Sequence, residues 1–132
     1  MCIRDRARRF EEALAAYEAL LERAPRNDAA RIEAATAAVL LNRGADARRL
    51  LEIGARQEAA SPRLLSATAR LLVLSGDTNV RDPERALEYA RRGFDLSSAS
   101  QHAETVALCL AATGQFEAVS YTHLTLPTNR EV

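Results

Sequence analysis

The sequence predicts an all-helical protein built as an α-solenoid, a row of antiparallel helix pairs. Three observations carry that expectation. Apolar residues recur at helical spacing, as in Phe10, Ala13, Leu14, Tyr17, Leu20 and Leu21. Turn and capping residues, among them Pro25, Asn27, Pro62, Gly76, Pro83 and Gly114, cut that pattern into short segments. Small residues return at a repeating interval: a shift of 34 residues carries Ala13 onto Ala47, Tyr17 onto Leu51 and Leu20 onto Gly54.

The elements follow in order. A first helix is expected over 7–24, with Glu11, Glu12, Glu18 and Glu22 mainly off its apolar face and Pro25 as its stop. Asn27 and Asp28 can cap a second over 28–42, which would end at Gly44. A third spans 46–59. At Ser61-Pro62 the serine can cap and the proline take the first position of a fourth, 62–75, which runs towards Gly76. Asp82-Pro83 opens a fifth, 83–96, by the same device. Ser98 and Gln101 offer a capping box for a sixth, 99–113, closed by Gly114. Leu51, Leu72, Leu87 and Val106 are the expected core, with Ala47 and Ala86 where helices approach closely. Pro25, Pro62 and Pro83 interrupt any long heptad run, which argues against a continuous coiled coil.

Composition bounds the rest. The 132 residues suffice for one domain with a buried core. Hydrophobic content of 48% and charged content of 27% describe a folded globular chain rather than a disordered one. The longest largely apolar run, Ala34 to Leu41, is far short of the ~18 residues of a membrane span. No signal peptide is visible, which favours a cytoplasmic location. Zero net charge gives no broad attraction to nucleic acid or to anionic lipid, and neither is an expected partner. All 18 basic residues are Arg, and Ala dominates the middle of the chain, a coding bias expected of a GC-rich bacterial genome. With no Trp and 5% aromatics, the core must be built from Ala, Leu and Val.

The two ends are expected to be foreign to the repeat. Written as the codons ATG TGT ATA AGA GAC, Met1 to Asp5 give Val-Ser-Tyr-Thr-His on the opposite strand, and that is the sequence at 119–123. The element resembles the mosaic-end repeat inserted by the transposase used to build sequencing libraries, and Leu124 to Thr128 fit the adapter that continues it. Residues 1–6 and 119–132 are therefore set aside as translated adapter on a metagenomic fragment. Any helix opened at Gln115 is expected to fail soon after Ala118, and 119–132 to make few specific buried contacts. The remaining 7–118 form one repeat domain, divided near 7–27, 28–61, 62–98 and 99–118.

Phe10-Glu11-Glu12-Ala13 with Tyr17, Leu20 and Pro25 resembles the second helix of a tetratricopeptide repeat, closing proline included. Ala86, Ala90 and Gly93 give the pattern again after about five extra residues near Asp77 to Val80, and Gly114-Gln115-Phe116-Glu117 looks like the opening of a further copy. The resemblance covers roughly 7–117. It departs from the family where an aromatic is usual in the first helix, since Arg31, Leu65 and Ala103 stand there, and where a glycine is usual, since Ala35, Ala69 and Ala107 do. The resemblance implies a right-handed superhelix whose first helices line a concave groove for a peptide or protein segment. Carried over residue by residue, the groove positions are Ile32 and Thr36, then Arg63, Ser66 and Arg70, then Gln101 and Glu104. The family's clamp for carboxylate-ending peptides uses Lys and Asn, which these positions lack, so that ligand class is disfavoured.

Residues that could carry chemistry have plainer readings. Cys109, in an apolar helix and two turns from His102, reads as a packed, inert thiol. His102, in a first turn, reads as a solvated surface residue. Glu11 and Glu12 are adjacent and diverge around the helix, so they cannot flank one substrate. The arginine pairs 8-9, 48-49 and 91-92 read as solvated outer faces. No catalytic triad, metal motif or glycine-rich phosphate cradle is present, so neither an enzyme nor a cofactor is expected. The expected function is a protein-interaction scaffold. The alternative is a regulatory or oligomerising segment of a larger bacterial enzyme.

Overall fold

A computed structural model describes residues 3–114. Among them are six helices and no strand: α1 (Ile3–Arg23), α2 (Asp28–Leu40), α3 (Gly44–Ala55), α4 (Pro62–Leu74), α5 (Pro83–Leu96) and α6 (Ser100–Ala112). Each of the six expected helices is present. The expectations for 115–132 lie outside the described residues. At the other end α1 begins at Ile3, inside the segment set aside, but Arg4, Asp5 and Arg6 are exposed and bury nothing.

Local chemistry fixes the boundaries. The Asn27 side chain accepts from the Ala30 amide, Ser61 from Leu64 and Asp82 from Arg85, so each satisfies one orphan donor of the helix it opens. Pro62 and Pro83 stand where the absent amide hydrogen costs nothing.

Three expected boundaries move. Gly44 does not close α2 but opens α3. The left-handed residue is Asn42 (φ 62°), and the amides of Asn42 and Arg43 close a Schellman turn onto the carbonyls of Val39 and Ala38. α3 stops at Ala55 rather than 59, because Arg92 of α5 donates to the carbonyls of Ala55 and Gln57 and holds the chain in a turn there. The capping box of Ser98 and Gln101 is absent: Ala99 is the N-cap of α6, with no side-chain bond.

Consecutive helices run antiparallel. The start of α2 meets the end of α3 where Arg31 donates to the Leu50 carbonyl. Gly93, late in α5, lies against Pro62 and Leu65 at the start of α4. Alternate helices run parallel and form two layers. In the outer one, α3 and α5 are tied by Arg48 to Asp82 and by Glu52 to Arg85 and Tyr89. In the inner one, α4 and α6 are tied by Ser66 to His102. These ties join residues 33–37 apart, close to the ~34-residue period of the repeat.

The core runs between the layers as Ala and Leu. Ala34, Ala38, Ala47, Leu64, Leu65, Leu72, Ala86 and Ala90 are all fully enclosed, and small residues let the axes approach. Leu51 and Leu87 are buried as expected. Val106 is only half-buried: it packs at the core's edge because the buried face of α6 is the one carrying His102, Thr105 and Cys109.

Candidate functional site

The inner layer supplies the candidate site. Arg63, Ser66 and Arg70 form one stripe of α4, three and four residues apart. Across from them α6 presents Gln101, His102 and Thr105, and the six line a concavity of about 340 Å³. A second concavity of about 460 Å³, between α2 and α4, is walled by Val39, Leu71, Leu74 and Asp77, with Arg70 again on its wall. Arg70 therefore borders both. Both expose more apolar than polar surface; what distinguishes the second is its exposed aliphatics, Leu74 standing 62% exposed beside Val39 at 47%.

Of the groove positions read from the sequence, Arg63, Ser66, Arg70 and Gln101 come together. Ile32 is half-buried against the core, the exposed Thr36 donates to the Ile32 carbonyl, and Glu104 is exposed; none of the three lines either concavity. Val39, Leu71, Leu74 and Thr105 were missed. The exposed leucine and valine at the ends of α2 and α4 lie just past the apolar stripe, so only burial in three dimensions separates them from core.

His102 corrects the sequence reading. It is 4% exposed, not solvated, with Nδ1 2.6 Å from the Ser66 hydroxyl. His102 alone of the first turn of α6 is turned onto α4, while Ser100, Gln101 and Ala103 are exposed, and the buried stripe His102, Thr105, Cys109 has the i, i+3, i+7 spacing of a packed face. That spacing was the available signal, masked because no residue in it is a large apolar one. Thr105 donates to the Gln101 carbonyl at 3.0 Å. Cys109 is fully enclosed, and burial pushes its thiol up to about 11, against a smaller opposing effect of the Arg70 charge. A thiol so held is a poor nucleophile at neutral pH.

The outer layer engages its own charges. Burial pushes the Glu52 carboxyl up, but hydrogen bonds from Arg48, Arg85 and Tyr89, with the Arg48 charge, outweigh it and hold the group below its ordinary value. Arg48 reaches Glu52 at 2.9 Å and Asp82 at 3.3 Å, and Arg49 reaches Asp46 at 2.9 Å. Arg48 and Arg92 are thus fasteners between repeats, whereas Arg8, Arg9, Arg49 and Arg91 are exposed as the sequence suggested for all three pairs.

Arg31 is the other buried charge, in a position where a large apolar side chain packs in the next repeat. Burial lowers its pKa, with Asp28 opposing. Its guanidinium donates to the carbonyls of Leu50 (2.9 Å) and Pro25 (2.7 Å), which pins the first turn of the array to α3.

Among the described residues no three His, Cys, Asp or Glu side chains cluster as metal ligands, and no helix is long and apolar enough to cross a membrane. A family model described as tetratricopeptide repeat matches residues 6–71, half of the chain. No curated protein and no solved structure gives a significant match.

Proposed function

The chain belongs to the tetratricopeptide repeat family, and we propose on that premise that its inner layer is the surface that receives a peptide or protein segment. Membership suggests a protein-interaction scaffold, and such scaffolds are typically non-catalytic. The observation that supports the inner face is the pair of concavities that both border Arg70, with Val39 and Leu74 left exposed on the wall of the α2/α4 one. Exposed aliphatics beside a donor-rich cleft suit a segment bound by apolar contact and by oriented hydrogen bonds.

The test is selection of phage-displayed random peptides on the intact chain, followed by affinity measurement against Val39→Glu with Leu74→Glu. Both residues are exposed, so circular dichroism should be unchanged. Enriched peptides should bind the double variant at least about tenfold more weakly, a loss of about 1.4 kcal/mol. Equal affinity for the two proteins would move the site off the inner face.

A further inference from the structure

We propose that the inner face selects an acidic segment: an internal Asp or Glu side chain docks between Arg63 and Arg70 while a neighbouring apolar side chain seats against Leu71 and Leu74. This rests on the groove reading above and names the chemistry of the partner.

Among the described residues, Arg63 and Arg70 carry unpaired charge at the edge of a cleft. In the outer layer, Arg48, Arg49, Arg56 and Arg85 lie against carboxylates of the protein itself and Arg92 is engaged by backbone carbonyls, while the exposed Arg91 has no such partner among the described residues but borders neither concavity. In the inner layer, Arg63 and Arg70 are exposed and have neither an ion pair nor a hydrogen bond among the described residues. No carboxylate stands among the described residues that line the α4/α6 concavity, whose ionisable groups are Arg63, Arg70 and His102. The nearby acids are placed elsewhere. Glu104 lies outside that lining, and the Asp77 carboxylate, at the far end of the α2/α4 concavity, accepts from the Asn79 amide at 2.9 Å.

The floor of the concavity is built rather than incidental. Ser66, His102 and Thr105 are each more than nine-tenths buried, with the Ser66 and His102 side chains bonded to each other and Thr105 bonded to the Gln101 carbonyl. A firm floor leaves the two guanidinium groups as the adjustable donors. Seven residues of helix separate their Cα atoms by about 10 Å, which two long arginine arms can close on one carboxylate. Arg70 borders both concavities, so the acidic and apolar side chains of the segment must be near neighbours.

The same phage selection reads this out, with fluorescent synthetic peptides made from the enriched sequences for anisotropy titration. Asp or Glu beside Leu, Ile, Val or Phe should be enriched. Replacing that acid by its amide should weaken binding at least about tenfold, and so should Arg63→Glu with Arg70→Glu at unchanged helicity. Raising the salt should weaken the acidic peptide and not its amide counterpart. Enrichment of neutral or basic peptides that still depend on Val39 and Leu74 would overturn the acidic segment and leave the groove reading intact. Dependence on a free terminal carboxylate, or binding seen only when the acid is replaced by phosphoserine, would overturn it as well. Peptides indifferent to Val39 and Leu74 would sink both.

Discussion

Gly54 and Gly93 occupy the same place in the second helices of successive repeats, and the structure predicts opposite outcomes for the same change. Alanine in place of a helical glycine gains about 0.5–1 kcal/mol from backbone entropy alone. At Gly93 a β-carbon would lie 3.4 Å from the Leu65 Cβ and 3.5 Å from the Pro62 carbonyl, ordinary contact or close to it. Gly93→Ala should therefore stabilise the protein by nearly that amount. At Gly54 the new carbon would stand 2.5 Å from Arg31 Cδ, 2.7 Å from its Nε and 2.8 Å from Leu64 Cδ2. Carbon pairs settle near 3.5–4.0 Å, so the neighbours would have to retreat by about 1 Å. Neither can do so freely: Arg31 is held at both ends by the carbonyls of Leu50 and Pro25, and Leu64 is fully enclosed. Overpacking of this kind costs about 1–3 kcal/mol, and each bond lost from a charged donor about 1.5–3 kcal/mol more. The clash outweighs the entropy, and Gly54→Ala should be destabilised by roughly 1–3 kcal/mol. Urea denaturation followed by far-ultraviolet circular dichroism measures both variants. In an Arg31→Ala background the Gly54→Ala penalty should shrink, though not vanish, because Leu64 stays in place. A Gly54→Ala protein as stable as wild type would refute the reasoning.

The core makes two further predictions by the same assay. Leu72→Ala empties a fully enclosed site and should cost about 2–5 kcal/mol, and Ala47→Leu, at a close helix approach, about 1–3 kcal/mol; wild-type stability for both would contradict the inward assignment of those faces. The Glu52 carboxyl is held below its ordinary value of 4.5 in the folded protein, so its contribution is present above pH 4.5 and is lost as pH falls through the lower folded value. Stability measured down the acid range should drop there for wild type and more shallowly for Glu52→Gln, and parallel curves would count against the network.

The fold was legible because nearest-neighbour packing repeats. The sequence spacing that carries Ala13 to Ala47 also places Asp82 beside Arg48 and Tyr89 beside Glu52, at separations close to the same period. Caps were equally readable where a single side chain decides, as at Asn27, Ser61 and Asp82. Reading failed where a distant group decided instead. The end of α3 depends on Arg92, which lies 37 residues beyond Ala55. The turn after α2 depends on which of two permissive residues, Asn42 or Gly44, takes the left-handed conformation. His102 was misplaced because the direction a first turn faces is set by its neighbour helix, not by its position in the chain.

The candidate site was legible only in part for a related reason. Core positions are constrained by period, so burial can be inferred from a stripe; exposed positions of the inner layer carry no such constraint. The family resemblance places Arg63 and Arg70 at groove positions and leaves Arg48 and Arg49 on an outer face, but nothing in the sequence shows which of the four is paired. What separates them is whether their own helix or the neighbouring repeat presents a carboxylate within reach. α5 follows α3 in the outer layer and brings Asp82 to Arg48, so that arginine is paired within the array. α6 follows α4 in the inner layer and brings Gln101, His102 and Thr105 to the concavity that Arg63 and Arg70 line, and none of these is a carboxylate. Two guanidinium groups without a partner among the described residues, bordering a concavity whose lining holds no carboxylate, leave that cleft electrostatically incomplete. That unpaired charge at the cleft, and not the count of arginines, is why charge reversal at Arg63 and Arg70 should alter partner choice, while the same reversal at Arg48, which is paired to Glu52 and Asp82, should lower stability instead.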